Sequence, residues 1–340
     1  MTKIGFVTTP LTSAHSVRGV GFYTRNLLSN LKLLAAKYNF EIIELENYLL
    51  AKHNPQIDIE NYKLDIVHYP FFDLFRHTLP IMREHKTVVT IHDVVPLEFP
   101  DHYPPGLRGQ INFQLQRLAL SGVEGVITDS YASVSAIRQY LRVPHEKIKL
   151  VYLAADPIYK KITQPKNKYK LPKKFVLYVG DINYNKNIPN LTAACRLAKL
   201  PLVIIGKQAK NLENLDLSHP ELTHLQKVDF FNVVRLGFVS DEDLVHIYNL
   251  AAVYCQPSLA EGFGLPVLEA LACSTPVACS KTSSLPEIAG TEASYFDPYN
   301  INDMAKAIKN AKSANGPTQA AKFSWEKTAY ETLQVYKELT

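Results

Sequence analysis

The stretch from Ala252 to Cys273 constrains this chain most. Ala252-Val253-Tyr254-Cys255 is a short apolar run that reads as a buried strand of a parallel sheet, and Pro266-Val267-Leu268-Glu269-Ala270-Leu271-Ala272 reads as a helix with proline in its first turn. Glu261-Gly262-Phe263-Gly264-Leu265 lies between them. The order is strand, glycine loop, helix. Gly262 and Gly264 leave backbone N–H groups beside a helix N-terminus, where orphan donors and the positive end of the dipole attract an anion such as a phosphate. Glu261 and Glu269 bracket the loop with seven residues between them. Alone, such a pair reads as a solvated loop residue and a helix cap. Beside a glycine loop and a Pro-initiated helix it reads as a ligand site.

At 340 residues the chain is long for one hydrophobic core, so two domains are expected. Hydrophobic residues make up 46% and charged residues 20%, which fits a globular protein and leaves no room for a large disordered part. No apolar run approaches the roughly 20 residues that span a bilayer. Met1 to Thr9 reads as a first strand and not as a secretory signal. Cys195, Cys255, Cys273 and Cys279 show neither metal-ligand spacing nor disulfide density, which points to a reducing cytoplasm. The charge of +5 is uneven: Lys160, Lys161, Lys166, Lys168, Lys170, Lys173 and Lys174 fall in a run with no acid. Such a run reads as a solvated interdomain linker, or else as a patch that meets phosphates or a membrane surface.

The rest of the chain repeats the strand-to-helix pattern. Arg18-Gly19-Val20-Gly21-Phe22-Tyr23-Thr24 is a second glycine loop opening a helix on Tyr23, Leu27, Leu31 and Leu34. Asp65 to Pro70 and Thr87 to Asp93 are β-branched runs that break into polar or proline residues, which places His68, His92 and Asp93 at a ligand-collecting sheet edge. His68 reads as structural. Gly122 to Thr128 is a further strand, with Asp129 or Ser130 capping the helix that follows. After the lysine run, Phe175 to Gly180 is a strand ending in glycine, and Lys186 six residues later sets an ammonium near the end of that strand, where as a point charge it can meet an anion. Leu200 to Gly206 and Val233 to Val239 are two more strands, and Ser240 caps the next helix.

The Glu261 to Glu269 segment resembles the Glu-x7-Glu signature of retaining glycosyltransferases of family 4, which have the GT-B fold. His92-Asp93-Val94-Val95-Pro96-Leu97 resembles that family's His-Asp-Leu-x-Pro-Leu segment, Val179-Gly180 with Lys186-Asn187 its glycine and lysine, and Ser284-Leu285-Pro286-Glu287 its Ser-Leu-Pro-Glu turn. The resemblance covers nearly the whole chain. It implies an α/β architecture of two doubly wound Rossmann-like domains facing a cleft: residues 1–160 on the acceptor side, residues 172–322 binding the nucleotide sugar, and a closing helix in 323–340, anchored by Trp325, Tyr330 and Leu333, crossing back to the first domain.

The resemblance further implies transfer of a hexosyl group from a nucleoside diphosphate sugar, GDP- or UDP-hexose, to a hydroxyl with retention of configuration. Glu261, His92 and Lys186 are its catalytic candidates. Gly19, Gly21, Gly180, Lys186, Val239, Gly262, Phe263, Gly264, Leu265 and Glu269 are its donor-binding candidates. One departure stands out: Asp181 occupies the place where many members have arginine, so Arg18 becomes a candidate for the missing charge.

No Asp-x-Asp stands at a strand end, so no metal is expected. The expected partners are the nucleotide sugar and a glycan or lipid-linked glycan acceptor of cell-surface polysaccharide synthesis, with peripheral membrane contact through that acceptor and no nucleic acid. Two other readings stay open: a nicotinamide-dependent oxidoreductase using the Gly19 loop and Glu44, and a non-catalytic nucleotide-sugar binder.

Overall fold

The computed structural model describes residues 1–12, 19–46 and 63–340. Contacts divide the chain into two units, one of Met1–Val94, Pro105–Leu153 and Ser324–Thr340, the other of Val95–Pro104 and Ala154–Phe323.

The first unit holds β1 (Thr2–Val7), β2 (Phe40–Leu45), β3 (Ile66–Tyr69), β4 (Lys86–Thr90), β5 (Gly125–Thr128) and β6 (Ile148–Leu150), in the order β2-β1-β3-β4-β5-β6 with every pairing parallel. β3 and β5 are buried at every residue, as parallel strands covered by crossover helices are. The helices α1 (Gly19–Ala35), α2 (Gly106–Ser121) and α3 (Tyr131–Ala136) belong to this unit. α1 buries Tyr23, Leu27, Leu28 and Leu31, a stripe at helical spacing. Ser130, not Asp129, caps α3: its hydroxyl accepts the Ser133 N–H at 3.0 Å.

The second unit holds β7 (Val176–Val179), β8 (Leu202–Ile205), β9 (Val233–Leu236), β10 (Val253–Gln256), β11 (Val277–Ser280) and β12 (Ala293–Phe296), again all parallel, in the order β12-β11-β10-β7-β8-β9. Its helices include α4 (Ile188–Ala198), α5 (Asp241–Leu250), α6 (Leu265–Ala272), α7 (Leu285–Ala289) and α8 (Ile301–Asn310). Val176, Tyr178, Leu202, Ile204, Val253 and Cys255 from the strands and Leu191, Met304 and Ile308 from the helices form one core cluster.

Residues from Ala154 onward group with this unit, so the first unit ends before 160. The Tyr159 hydroxyl donates to Asp241 at 3.3 Å and the Ile162 N–H to Asn249 at 2.9 Å. The lysine run lies against α5 and is no free linker: Lys168 pairs with Asp243 at 2.5 Å, and the Lys166 N–H donates to His246 at 3.0 Å.

The chain closes with α9 (Trp325–Leu339), which returns to the first unit. Trp325 and Leu333 are buried there, whereas Tyr330 is 41% exposed and meets Tyr38 at the surface. Among the described residues no helix is long and apolar enough to cross a membrane. All four cysteines are free and buried.

Candidate functional site

In the second sheet, β7 is followed in sequence by β8 and β9 on one side, while β10 to β12 continue from its other side. The connections leaving β7 and β10 therefore diverge at the carboxyl edge, which is where open parallel sheets bind ligands. Lys186 follows β7 and Glu261 follows β10, so the two candidate residues lie on the two loops that diverge.

Side-chain amides lace these loops together. The Asn185 amide donates to the Ala260 carbonyl at 3.0 Å, and the Leu259 N–H donates to the Asn185 carbonyl at 2.8 Å. Asn187, with φ of 56°, donates to the carbonyls of Pro257 at 3.1 Å and Pro298 at 2.8 Å. Asparagine tolerates this left-handed conformation better than most residues. Lys186 is thus clamped by its neighbours on both sides. Its ammonium meets Glu261 Oε1 at 2.7 Å, with the two side chains 22% and 12% exposed. The same oxygen accepts from the Gln256 amide at 2.8 Å and the Ser258 hydroxyl at 2.6 Å. Tyr254 in turn donates to the Gln256 side-chain oxygen.

The Glu261 loop is pinned from the far side as well. The Ser283 hydroxyl donates to the Glu261 carbonyl at 2.6 Å, and the Ser284 hydroxyl to the Phe263 carbonyl at 2.8 Å. Gly264 has φ of +104°, and a Cβ there would stand 2.9 Å from Leu285. Only glycine makes that turn into α6 easily. Phe263 is buried with its ring edge-on to Phe323 at 5.9 Å, so its side chain packs inward. Glu269 lies in the second turn of α6, not the first, and is 9% exposed. Tyr248 of α5 donates to its Oε2 at 2.8 Å. Burial pushes Glu269 up to about 7; the Tyr248 hydrogen bond works the other way, while Asp241 and Asp156 push it further up. It does not cap α6.

Gly180 ends β7 with φ of +145°, and the Asp181 carbonyl accepts from Tyr178 at 2.6 Å. Val239 is buried and follows β9. Val95–Pro104 also packs in this unit: the Tyr103 hydroxyl donates to Asn185 at 2.7 Å, and His102 stacks on Tyr184 at 3.3 Å between centroids.

In the first unit, His92 lies just past β4. Its Nδ1 is 2.6 Å from Asp129 Oδ2, and Ser133 donates to its carbonyl at 3.0 Å. Asp129 is 1% exposed, and its other carboxylate oxygen, though buried, has no hydrogen-bond partner among the described residues. Burial opposes charge on His92, yet Asp129, by charge and by hydrogen bond, together with Asp93 and the Pro70 carbonyl, raises it above the ordinary histidine value. His68 is structural: Tyr336 of α9 bonds its Nδ1 at 2.6 Å and Thr90 its Nε2 at 2.8 Å, and burial holds its imidazole down to about 3.

Gly19 and Gly21 stand in the first turn of α1 and not in a loop before it, and Arg18 lies outside the described residues. Glu44 is engaged by Lys32 of α1, and Thr24, at the place of a third glycine, is buried and bonded to the Val20 carbonyl at 2.8 Å. Neither feature suits a dinucleotide ribose site. Among the described residues no three of His, Cys, Asp and Glu converge as a metal-binding group.

Sequence reasoning missed Asn185, Asn187, Gln256, Ser258 and Tyr248, and it saw Asp129 only as a cap. The pattern Asn-Lys-Asn around Lys186 was the one available signal, since amide side chains flanking a lysine on a tight turn tie backbone to backbone.

The comparisons with known proteins agree with this geometry. The profile "Glycosyl transferases group 1" matches residues 160–325 and "Glycosyltransferase Family 4" matches residues 19–158. The chain is similar to "Serotype-specific mannosyltransferase WbdA" of Escherichia coli, 29% identical over 280 residues, covering 75% of this chain but only 34% of that protein. It therefore spans about a third of the length of that relative. "O-antigen chain mannosyltransferase B" of Escherichia coli is 29% identical over 304 residues, with 83% of this chain and 76% of the relative covered. Among solved structures, sucrose-phosphate synthase from Thermosynechococcus elongatus shares the fold, with a TM-score of 0.73 at 19% identity over 100% of this chain and 99% of that one. That likeness shows a GT-B architecture of two Rossmann-like domains. With the two profiles matching its two halves in turn, the chain belongs to glycosyltransferase family 4.

Proposed function

We propose that this protein transfers a mannosyl or closely related hexosyl group from a nucleoside diphosphate sugar to a hydroxyl of a glycan or lipid-linked glycan, with retention of anomeric configuration. The observation that carries this reading is the Lys186–Glu261 ion pair at the diverging carboxyl edge of the second sheet, beside the Gly264 turn into α6. The choice of mannose rests on the similarity to the two mannosyltransferases named above, and the O-antigen name of one supports a role in surface polysaccharide synthesis.

In this reading the diphosphate lies against the amides of Gly262 to Leu265 and the positive end of α6, with the Gly180 turn and the Lys186 ammonium beside it. Glu269 accepts from the ribose hydroxyls. Val239 borders the base. As the glycosidic bond breaks, negative charge grows on the leaving diphosphate, and Lys186 is pre-placed to meet it. Glu261, held by Lys186, Gln256 and Ser258, is a fixed carboxylate beside the sugar that stabilises the growing positive charge on the ring. The acceptor hydroxyl attacks from the leaving-group side and passes its proton to the departing phosphate oxygen. His92 bonds a sugar or acceptor hydroxyl, oriented by Asp129. The charge on the diphosphate is met without a divalent ion.

The test is a transfer assay on a panel of GDP-mannose, UDP-glucose and UDP-galactose with a mannosylated acceptor, with and without EDTA. Product from GDP-mannose, α-linked by the anomeric coupling in NMR and unaffected by chelation, supports the reading. A β-linked product or an EDTA-silenced reaction overturns the mechanism. Hydride transfer to NAD in place of sugar transfer overturns the function.

A further inference from the structure

The first sheet has its own ligand-collecting edge, because β1 is flanked by β2 on one side and by β3 and the later strands on the other, so that the loops leaving β1 and β3 diverge. Thr8 and Thr9 follow β1, His92 follows β4 and Asp129 follows β5. One step into the sheet every polar group is satisfied. The Tyr23 hydroxyl meets Thr90 at 3.0 Å, Thr90 meets His68 Nε2 at 2.8 Å, and the His68 ring lies edge-on to Phe6 of β1 at 5.1 Å. At the edge itself the pattern breaks. Thr8, Asp129 and Trp325 are 3%, 1% and 5% exposed, yet Thr8 Oγ1, Asp129 Oδ1 and Trp325 Nε1 are buried with no hydrogen-bond partner among the described residues, and Thr9 Oγ1 is in the same state. Tyr23 of α1 links them: its ring is edge-on to His92 at 4.6 Å and tilted against Trp325 at 6.2 Å, while His92 Nδ1 holds the other Asp129 oxygen at 2.6 Å. Buried polar atoms left unpaired cost stability, so a group of them at one sheet edge points to a ligand that completes their bonds.

The chemistry of these atoms selects the ligand. An ionised Asp129 oxygen only accepts, the Trp325 indole only donates, and each threonine hydroxyl does both. A molecule rich in hydroxyls meets all of them, since every hydroxyl gives one bond and takes others. Charge narrows the class. Asp93 stands near enough to Asp129 and His92 to act on both, so two carboxylates flank one imidazole and offer an anion no surplus of positive charge among the described residues. We propose that this edge is a subsite for an uncharged sugar ring, whose hydroxyls are bonded by Asp129, Thr8 and Trp325. Within the transfer reading, on which the assignment of this ring as the acceptor rests, the residue that receives the hexosyl group is a neutral sugar and not one that carries a phosphate or a carboxylate.

Binding without a donor tests this separately from turnover. Methyl α-mannoside, mannose 6-phosphate and methyl glucuronoside are each titrated into the full chain and followed by saturation-transfer NMR. The neutral mannoside is expected to bind, and both anions to bind at least ~10-fold more weakly. Thr8→Val keeps the shape and removes an unpaired hydroxyl, so it is expected to weaken the mannoside about five-fold without lowering the melting temperature. Asp129→Asn is expected to weaken it ~10-fold and to shrink the penalty on the 6-phosphate. Absence of mannoside binding, equal or tighter binding of the anions, or unchanged binding in both variants overturns the proposal. A lowered melting temperature in Thr8→Val with unchanged mannoside binding also overturns it, since internal water then holds that hydroxyl. Titration of GDP and UDP into the same samples keeps the two readings apart. Nucleotide binding without mannoside binding overturns this subsite alone, whereas mannoside binding without nucleotide binding overturns the transfer reading and leaves the sugar subsite standing.

Discussion

The ammonium of Lys186 and the carboxylate of Glu261 stand 2.7 Å apart although the residues are 75 positions apart in the chain. Neither is therefore a lone charge waiting for substrate. Lys186 leaves Glu261 with two neutral donors when it is removed, and Glu261 leaves a poorly hydrated ammonium. Lys186→Met is expected to destabilise the fold by about 1–3 kcal/mol in urea unfolding. The Lys186→Met/Glu261→Gln double variant is expected to lose less than the sum of the singles. Turnover in either single variant falls about 10²–10³-fold. Additive stability losses with near-normal turnover would contradict this.

The clamp predicts a second effect. Asn187→Gly keeps the left-handed backbone but removes two side-chain bonds to carbonyls, and Asn185→Ala removes one together with the Tyr103 contact. Each is expected to lower stability by about 1–3 kcal/mol. Each also slows turnover by loosening Lys186 against Glu261, a change read as a lower kcat at little altered KM. A lowered melting temperature with unchanged kcat would show the amides to be structural only.

Much of this was legible beforehand, and the reasons differ by residue. Strand and helix order followed from fully apolar runs that alternate with amphipathic ones, because a parallel sheet buries its strands and leaves one helical stripe inside. The Ser130 and Ser240 caps were visible because a cap is a local rule, and each accepts its N–H as such a residue does. Glu261, Glu269 and Lys186 were visible because glycine and proline punctuate the turns that carry them. What escaped was tertiary: whether Glu269 faces Tyr248 or solvent depends on where α5 packs, and Asp129 meets His92 only because β4 and β5 pair in one register.

Glu269 gives a pH dependence with a definite sign. Its ordinary value near 4.5 rises to about 7 in the fold, so the folded state holds its proton more tightly than the unfolded chain does. Its contribution to stability is therefore fully present below the ordinary value and is lost as pH climbs to about 7. Glu269→Gln is expected to gain stability over wild type at pH 8 and not at pH 4. Melting temperatures of the two proteins across this range check it, and a constant difference would contradict it.

His92 gives a pH dependence of the same sign for the same linkage reason. Burial opposes its charge, but Asp129 more than compensates and raises it, so the stability of the pair is present below the ordinary histidine value and is lost as pH rises through the raised one. Asp129→Asn leaves the geometry nearly intact and takes away the charge. The His92 ring resonances in NMR are then expected to titrate at lower pH than in wild type. An unchanged titration would mean that Asp129 does not set the state of His92.

The central claim is that a nucleoside diphosphate is held where β10 turns into α6. Calorimetric titration of GDP and UDP into the wild type, Glu269→Ala and Lys186→Met tests it most directly. The account predicts that at least one nucleotide binds the wild type and that each variant loses at least ~10-fold in affinity, in line with a lost charge-assisted hydrogen bond. Absence of binding by both nucleotides, or equal affinity in all three proteins, would contradict it.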